Sequence, residues 1–179
     1  MSPIFPQPSS GGVRADALLA LGSNLGDRKA LVDEAVTRLD RLPGTRLAAR
    51  SSYYRTEPVG PVSQEWFLNI AVALRTELEP QALLAACQAI EADLGRRRAA
   101  EIRWGPRFID IDIVAFDDVV RADPGLTLPH PRFAERGFVL VPLVEIAADA
   151  NVGGRAIAEY LAEVDPSGVE KLDWPVPAP

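Results

Sequence analysis

Cysteine occurs once in this chain, at Cys87, and histidine once, at His130. A single thiol rules out an internal disulfide, and the two together supply no His/Cys cluster with zinc-like spacing. Cys87 falls at helical spacing with Leu83, Leu84 and Ile90, so it reads as a small core residue. No apolar run approaches the ~20 residues that a membrane-spanning helix needs. The first residues carry no basic segment followed by an apolar one, which argues against export. The expected compartment is therefore the reducing cytoplasm, with no membrane partner. Lysine is scarce as well: of 19 basic residues only Lys29 and Lys171 are lysines. Acids outnumber bases and the net charge is −6, which argues against a protein built to grip a nucleic-acid backbone.

The 179 residues, 47% of them hydrophobic, suit one domain with a real core. Residues 1–14, rich in Pro, Ser and Gly, read as a disordered extension. Residues 15–165 read as the domain and 166–179 as a Pro-rich tail. Ala17 to Leu21 is a short apolar strand ending in the turn from Gly22 to Asp27, and Leu31, Ala35, Leu39 and Leu42 follow at helical spacing. Leu47 to Thr56 reads as a second strand and Phe67 to Leu74 as a third. Glu79-Pro80 opens a helix that stops at Gly95, and Phe108 to Phe116 is the fourth strand. Val141 to Ile146 and Ala156 to Val164 read as short helices. The order βαββαβ predicts an α+β, ferredoxin-like fold: an antiparallel sheet with helices packed on one face, followed by extra short strands and helices. The other face is then open for a site.

The fourth strand contains the strongest functional signal. Side chains alternate along a strand, so Ile109, Ile111 and Ile113 share one face and Asp110 and Asp112 the other. Two neighbouring carboxylates repel and resist losing water, so a cation between them explains the pair best. Magnesium, which takes one or two carboxylates with phosphate oxygens and water, is the natural candidate. Taken alone, Asp-x-Asp also fits an exposed polar strand face. Just upstream, Arg96 to Arg107 is too polar for a core element and reads as a long mobile loop holding five arginines. Arginine binds phosphate oxygens through a planar fork. Downstream, His130, Arg132 and Arg136 form a cationic trio that suits a polyphosphate, although a lone His is also commonly satisfied by local backbone.

Five stretches together resemble one family: Gly22 to Gly26, Tyr54 to Pro61, Phe67 to Asn69, Arg103 to Ile113 and Leu128 to Phe138. They look like 6-hydroxymethyl-7,8-dihydropterin pyrophosphokinase of folate biosynthesis, over roughly Ala17 to Ala147. The resemblance implies transfer of the pyrophosphoryl group of ATP to the hydroxymethyl oxygen of the pterin, releasing AMP. It implies two magnesium ions on Asp110 and Asp112, with Arg96 and Arg107 steadying the moving group. Nucleotide contacts would come from His130 and Arg136, with Gln88, Glu91, Arg98 and Ile113 on the same side and Trp104 closing over the site. Gly22, Thr56, Glu57, Val59, Phe67, Asn69 and Phe138 would form the pterin pocket. The implied partners are ATP and the pterin, bound by a monomer.

The chain departs from the family pattern in places. Phe67 stands where some members carry Tyr, so stacking there comes without a phenolic hydroxyl, and Gly125 stands where some carry an Arg near the nucleotide. The residues by themselves leave two other readings open. One is a metal-dependent nucleotidyl-transfer domain, which the acidic balance counts against. The other is a regulatory module that binds a small molecule without metal.

Overall fold

In the computed structural model of the chain, residues 16–58, 63–96 and 105–177 are described. The expected order is present: β1 (Ala17–Ser23), α1 (Arg28–Asp40), β2 (Thr45–Arg50), β3 (Tyr54–Thr56), β4 (Phe67–Thr76), α2 (Pro80–Asp93) and β5 (Asp110–Phe116). Helix α1 starts where the Asp27 side chain accepts the Ala30 N–H. Helix α2 opens on Pro80 and ends at Gly95, whose φ of 101° a residue with a Cβ adopts poorly. All pairings are antiparallel. The main sheet runs β10 (Val169–Lys171), β3, β4, β1, β5, with β2 also on β4.

The predicted strand Leu47–Thr56 is two strands along one edge of β4. The chain breaks at Ser51, which is fully buried; its N–H donates to Ala71 O and its hydroxyl accepts the Ala71 N–H. A serine side chain thus replaces a ladder bond, which no alternation of apolar residues reveals.

One face of the sheet carries Leu19, Leu21, Ile70, Val72, Ile109, Ile111 and Ile113 against Val32, Leu39, Leu83, Cys87 and Ile90 of α1 and α2. Each such side chain contributes about 1.5–3 kcal/mol on burial. Cys87 is part of this core, and burial pushes its thiol up to about 12.

The opposite face is not left bare. Helix α3 (Gly137–Ala147) and the short α4 (Ile157–Leu161) pack there through Val139, Leu140, Leu143 and Ile157 onto Leu18, Ala73, Val114 and Ala115. Helices therefore cover both faces, and only part of the second remains open. Helix α3 begins four residues before the predicted Val141 and carries Pro142 inside. Between β5 and α3 lie the two-stranded β6 (Arg121–Asp123) and β7 (Leu126–Leu128). Between α3 and α4 lie β8 (Asn151–Val152) and β9 (Arg155–Ala156).

The tail assignment for 166–179 changes. Strand β10 pairs with β3, the Leu172 N–H donates to Tyr53 O, and Trp174 packs edge-on against Tyr53 at 5.6 Å. The prolines at 175 and beyond set the composition of this stretch, but they follow the strand and leave Val169–Lys171 free to pair.

Candidate active site

Strand registers set three rows of side chains on the α3 face. The first runs Asp110, Gly22, Asn69, Tyr54; the second runs Asp112, Ala20, Ala71; the third holds Ala115, Leu18 and Ala73. Helix α3 buries the third row. Above the first two, the small residues Gly22 and Ala20 leave a floor without height, and a cavity of about 460 Å³ stands over it. With strands about 4.8 Å apart, it runs roughly 14 Å from the acids on β5 to Thr56 on β3. Its far sides are the first residues of α3 and the chain from Val164 to Val169.

The acid end is asymmetric. Asp110 accepts Arg96 Nη1 at 2.5 Å and Arg107 Nη1 at 2.6 Å. Burial alone would raise its carboxyl, yet the two guanidiniums hold it below the usual range. Asp112 shares the face without such support, and no ion pair to it occurs among the described residues. Burial first, and the charge of Asp110 second, push it up to about 7. Glu91, 1% exposed, lies behind the strand; one carboxylate oxygen accepts both Arg96 Nη1 at 2.6 Å and the Ile111 N–H at 2.8 Å. Arg96 is thereby fastened beneath Asp110, 9% exposed, and is not a wall of the cavity.

Among the described residues no three His, Cys, Asp or Glu gather into a metal cage. Two carboxylates, one of them uncompensated, suit a hard divalent ion that completes its shell with phosphate oxygens and water. The donor set therefore fits magnesium.

The other end is polar and aromatic. Asn69 Nδ2 donates to Thr56 Oγ1 at 2.6 Å, and both residues are buried. Gly22 makes this possible, because a Cβ there would stand 2.7 Å from Asn69 Oδ1. Phe67 and Phe138 line the same end, and the Arg136 guanidinium lies 5.6 Å from the Phe138 ring. Burial lowers the pKa of Arg136, while Asp112 opposes that shift, so the two charges sense each other across the cavity.

Of the predicted positions, Gly22, Thr56, Glu57, Phe67, Asn69, Arg107, Asp110, Asp112, Arg136 and Phe138 line one cavity. His130 is not among the lining residues: its N–H donates to Val114 O at 2.8 Å, and its Nδ1 accepts the Arg132 N–H at 3.1 Å. Burial, then the charge of Arg136, lowers its pKa. Ile113 and Gln88 are not on the walls. Strand alternation turns the Ile113 side chain into the α1/α2 core, and Gln88 is exposed on α2. Val59, Arg98 and Trp104 lie outside the described residues.

Sequence reasoning gave Asn24 no role. It is 1% exposed; its N–H donates to Arg107 O and its Oδ1 accepts the Arg107 N–H, while Nδ2 donates to Gln64 Oε1 and Glu65 O. The β1–α1 turn thus holds the backbone of Arg107 and the approach to β4 together. An Asn between Ser23 and Leu25 in a tight turn was the available signal. Arg132, expected in the cationic trio, lines the cavity; Glu135 and the 164–169 wall were missed.

Paired acids and arginines at one end of a cavity, with an amide and aromatic rings at the other, define a small-molecule transferase site on a ferredoxin-like sheet. Comparison with known proteins makes the class specific. A family model described as 7,8-dihydro-6-hydroxymethylpterin-pyrophosphokinase (HPPK) matches residues 18–148. A 2-amino-4-hydroxy-6-hydroxymethyldihydropteridine pyrophosphokinase of Methylorubrum extorquens is 53% identical over 88% of this chain and 98% of its own length. The enzyme of the same name from Pseudomonas aeruginosa is 43% identical over 86% and 94%. Among solved structures, an HPPK-DHPS in complex with substrates superposes with a TM-score of 0.65 at 15% identity, covering 85% of this chain and 43% of that one. This last likeness concerns the fold alone, and the chain spans less than half of that protein. The chain belongs to the 7,8-dihydro-6-hydroxymethylpterin-pyrophosphokinase family.

Proposed function

We propose that the cavity seats the triphosphate of ATP at its acid end and the pterin at its amide-and-aromatic end. As a member of its family the chain transfers the pyrophosphoryl group of ATP to hydroxymethyldihydropterin, a step of folate biosynthesis. The single observation carrying the residue-level reading is the row Asp110, Gly22, Asn69, which joins the two ends on one sheet face.

Asn69 reads the polar edge of the pterin, with Thr56 fixing the orientation of its amide. Phe67 and Phe138 flank the ring, and Gly22 lets it lie close to the sheet. Glu57 completes this end, and Val59 keeps the pterin-side role that the resemblance implies. Asp110 and Asp112 would hold magnesium, two ions in this reading, which would supply neutralisation of phosphate charge and so favour departure of AMP. Arg107 reaches the cavity wall and stabilises charge on the transferring group. Arg96 orients Asp110 from behind, and Arg136 and His130 face the triphosphate. On the nucleotide side Glu91 acts through Arg96, Ile113 through its main chain, and Gln88 from the surface of α2. Arg98 and Trp104 keep the nucleotide-side roles that the resemblance implies. A monomer and a cytoplasmic location are part of this reading, the latter suiting a reaction that consumes ATP.

Incubation with ATP, magnesium and hydroxymethyldihydropterin, with both products identified by mass, tests the reading. AMP and the pterin diphosphate are expected, each dependent on the other substrate. ADP as the nucleotide product would overturn it.

A further inference from the structure

The far wall of the cavity is built by chain that lies past the stretch matched by the family model, which ends at residue 148. Val164, Asp165, Ser167, Gly168 and Val169 form it. Strand β10 holds the wall in place, since Val169 pairs with Thr56 and Lys171 with Tyr54. Glu145 of α3 fastens it from below. Its carboxylate accepts Lys171 Nζ at 3.0 Å, the Tyr54 hydroxyl at 2.9 Å, and the N–H and hydroxyl of Ser52. The turn also rests on the start of α3: a Cβ at Gly137 would meet Asp165 O at 3.2 Å and Val169 Cγ2 at 3.7 Å.

The polar side chains of the turn are engaged with each other. The Asp165 carboxylate accepts the Ser167 N–H and hydroxyl, each at 2.8 Å. What remains for a ligand is shape, chiefly the valine side chains. In an antiparallel pair, opposite residues project to the same face, so Val169 stands beside Thr56 at the end of the cavity farthest from the acids. The hydroxymethyl arm of the substrate must reach the acids. The exocyclic amino group lies at the opposite end of the bicycle, and therefore meets this wall.

We propose that residues 164–169 are the size-selective far wall of the pterin pocket, and that Val169 sets the clearance at the amino-pyrimidine end. The proposal rests on the reading above of which cavity end takes the pterin. The shape of an apolar wall discriminates one extra methyl group by roughly 10- to 200-fold.

The test compares kcat/KM for hydroxymethyldihydropterin with that for its analogue methylated on the exocyclic amino nitrogen. Wild-type protein is expected to reject the analogue at least tenfold, and Val169→Ala to shrink that ratio by about tenfold while KM for ATP stays within twofold. Val169→Phe shifts it the other way, by raising KM for the methylated analogue more than KM for the parent pterin. A ratio of two substrates on one variant is insensitive to partial unfolding, so an unchanged ratio in both variants overturns the proposal. Wild-type protein that makes no pterin diphosphate from either substrate overturns instead the underlying reading.

Discussion

Replacing Asp112 by asparagine should stabilise the metal-free protein while abolishing transfer. The carboxyl of Asp112 is raised from 3.8 to about 7, by burial first and by Asp110 second. Between those two values the unfolded chain is ionised and the folded one keeps its proton, so the wild-type protein loses stability as pH rises through that window and no further above it. At 1.36 kcal/mol per unit, the loss accumulated between pH 5.5 and 8.5 is about 2 kcal/mol. Asparagine has the same shape and does not ionise, so it escapes that loss. Thermal unfolding in a chelator should therefore give a melting-temperature gain for Asp112→Asn over wild type that is larger at pH 8.5 than at pH 5.5. The difference should be roughly 4–8 °C for a chain of this size. Equal gains at both values, or a destabilised variant, would refute the idea that Asp112 carries the uncompensated charge.

Asp110→Asn should do the reverse and destabilise by about 3 kcal/mol, because it leaves Arg96 and Arg107 facing each other without their shared carboxylate. Its pKa is lowered in the fold, so this contribution is present above the ordinary value of 3.8 and fades as pH falls further. A variant as stable as wild type at pH 7 would contradict the ion-pair geometry. Gly22→Ala places a Cβ 2.7 Å from Asn69 Oδ1 and forces the amide away from Thr56. We expect KM for the pterin to rise about tenfold, with KM for ATP within twofold. Parallel rises in both constants would mean that Asn69 does not read the pterin.

Legibility followed the range of the interactions involved. The alternation Ile109 to Ile113 is local, and it placed the isoleucines in the α1/α2 core and the acids on the other face. The same alternation explains why Ile113 cannot present its side chain to the cavity. Strand register is long-range, so the alignment of Asp110 with Gly22 and Asn69 could not be read from spacing. Nor could the decisive role of a missing Cβ at Gly22. Composition misled at the C-terminus, where prolines after Trp174 masked a three-residue edge strand that closes the cavity. Likewise α3 carries an apolar face that suits a second core layer, yet only the sheet shows which face it covers and where the cover stops.

The central claim is that the Asp110 and Asp112 pair would hold the magnesium on which binding of the triphosphate depends. Calorimetry with an ATP analogue carrying a methylene between the α- and β-phosphates tests it directly, because the bond broken in pyrophosphoryl transfer is then inert. Wild-type protein should bind the analogue much more tightly with magnesium than in a chelator, and Asp112→Asn should erase most of that difference. A variant that keeps the full magnesium-dependent gain would contradict the account.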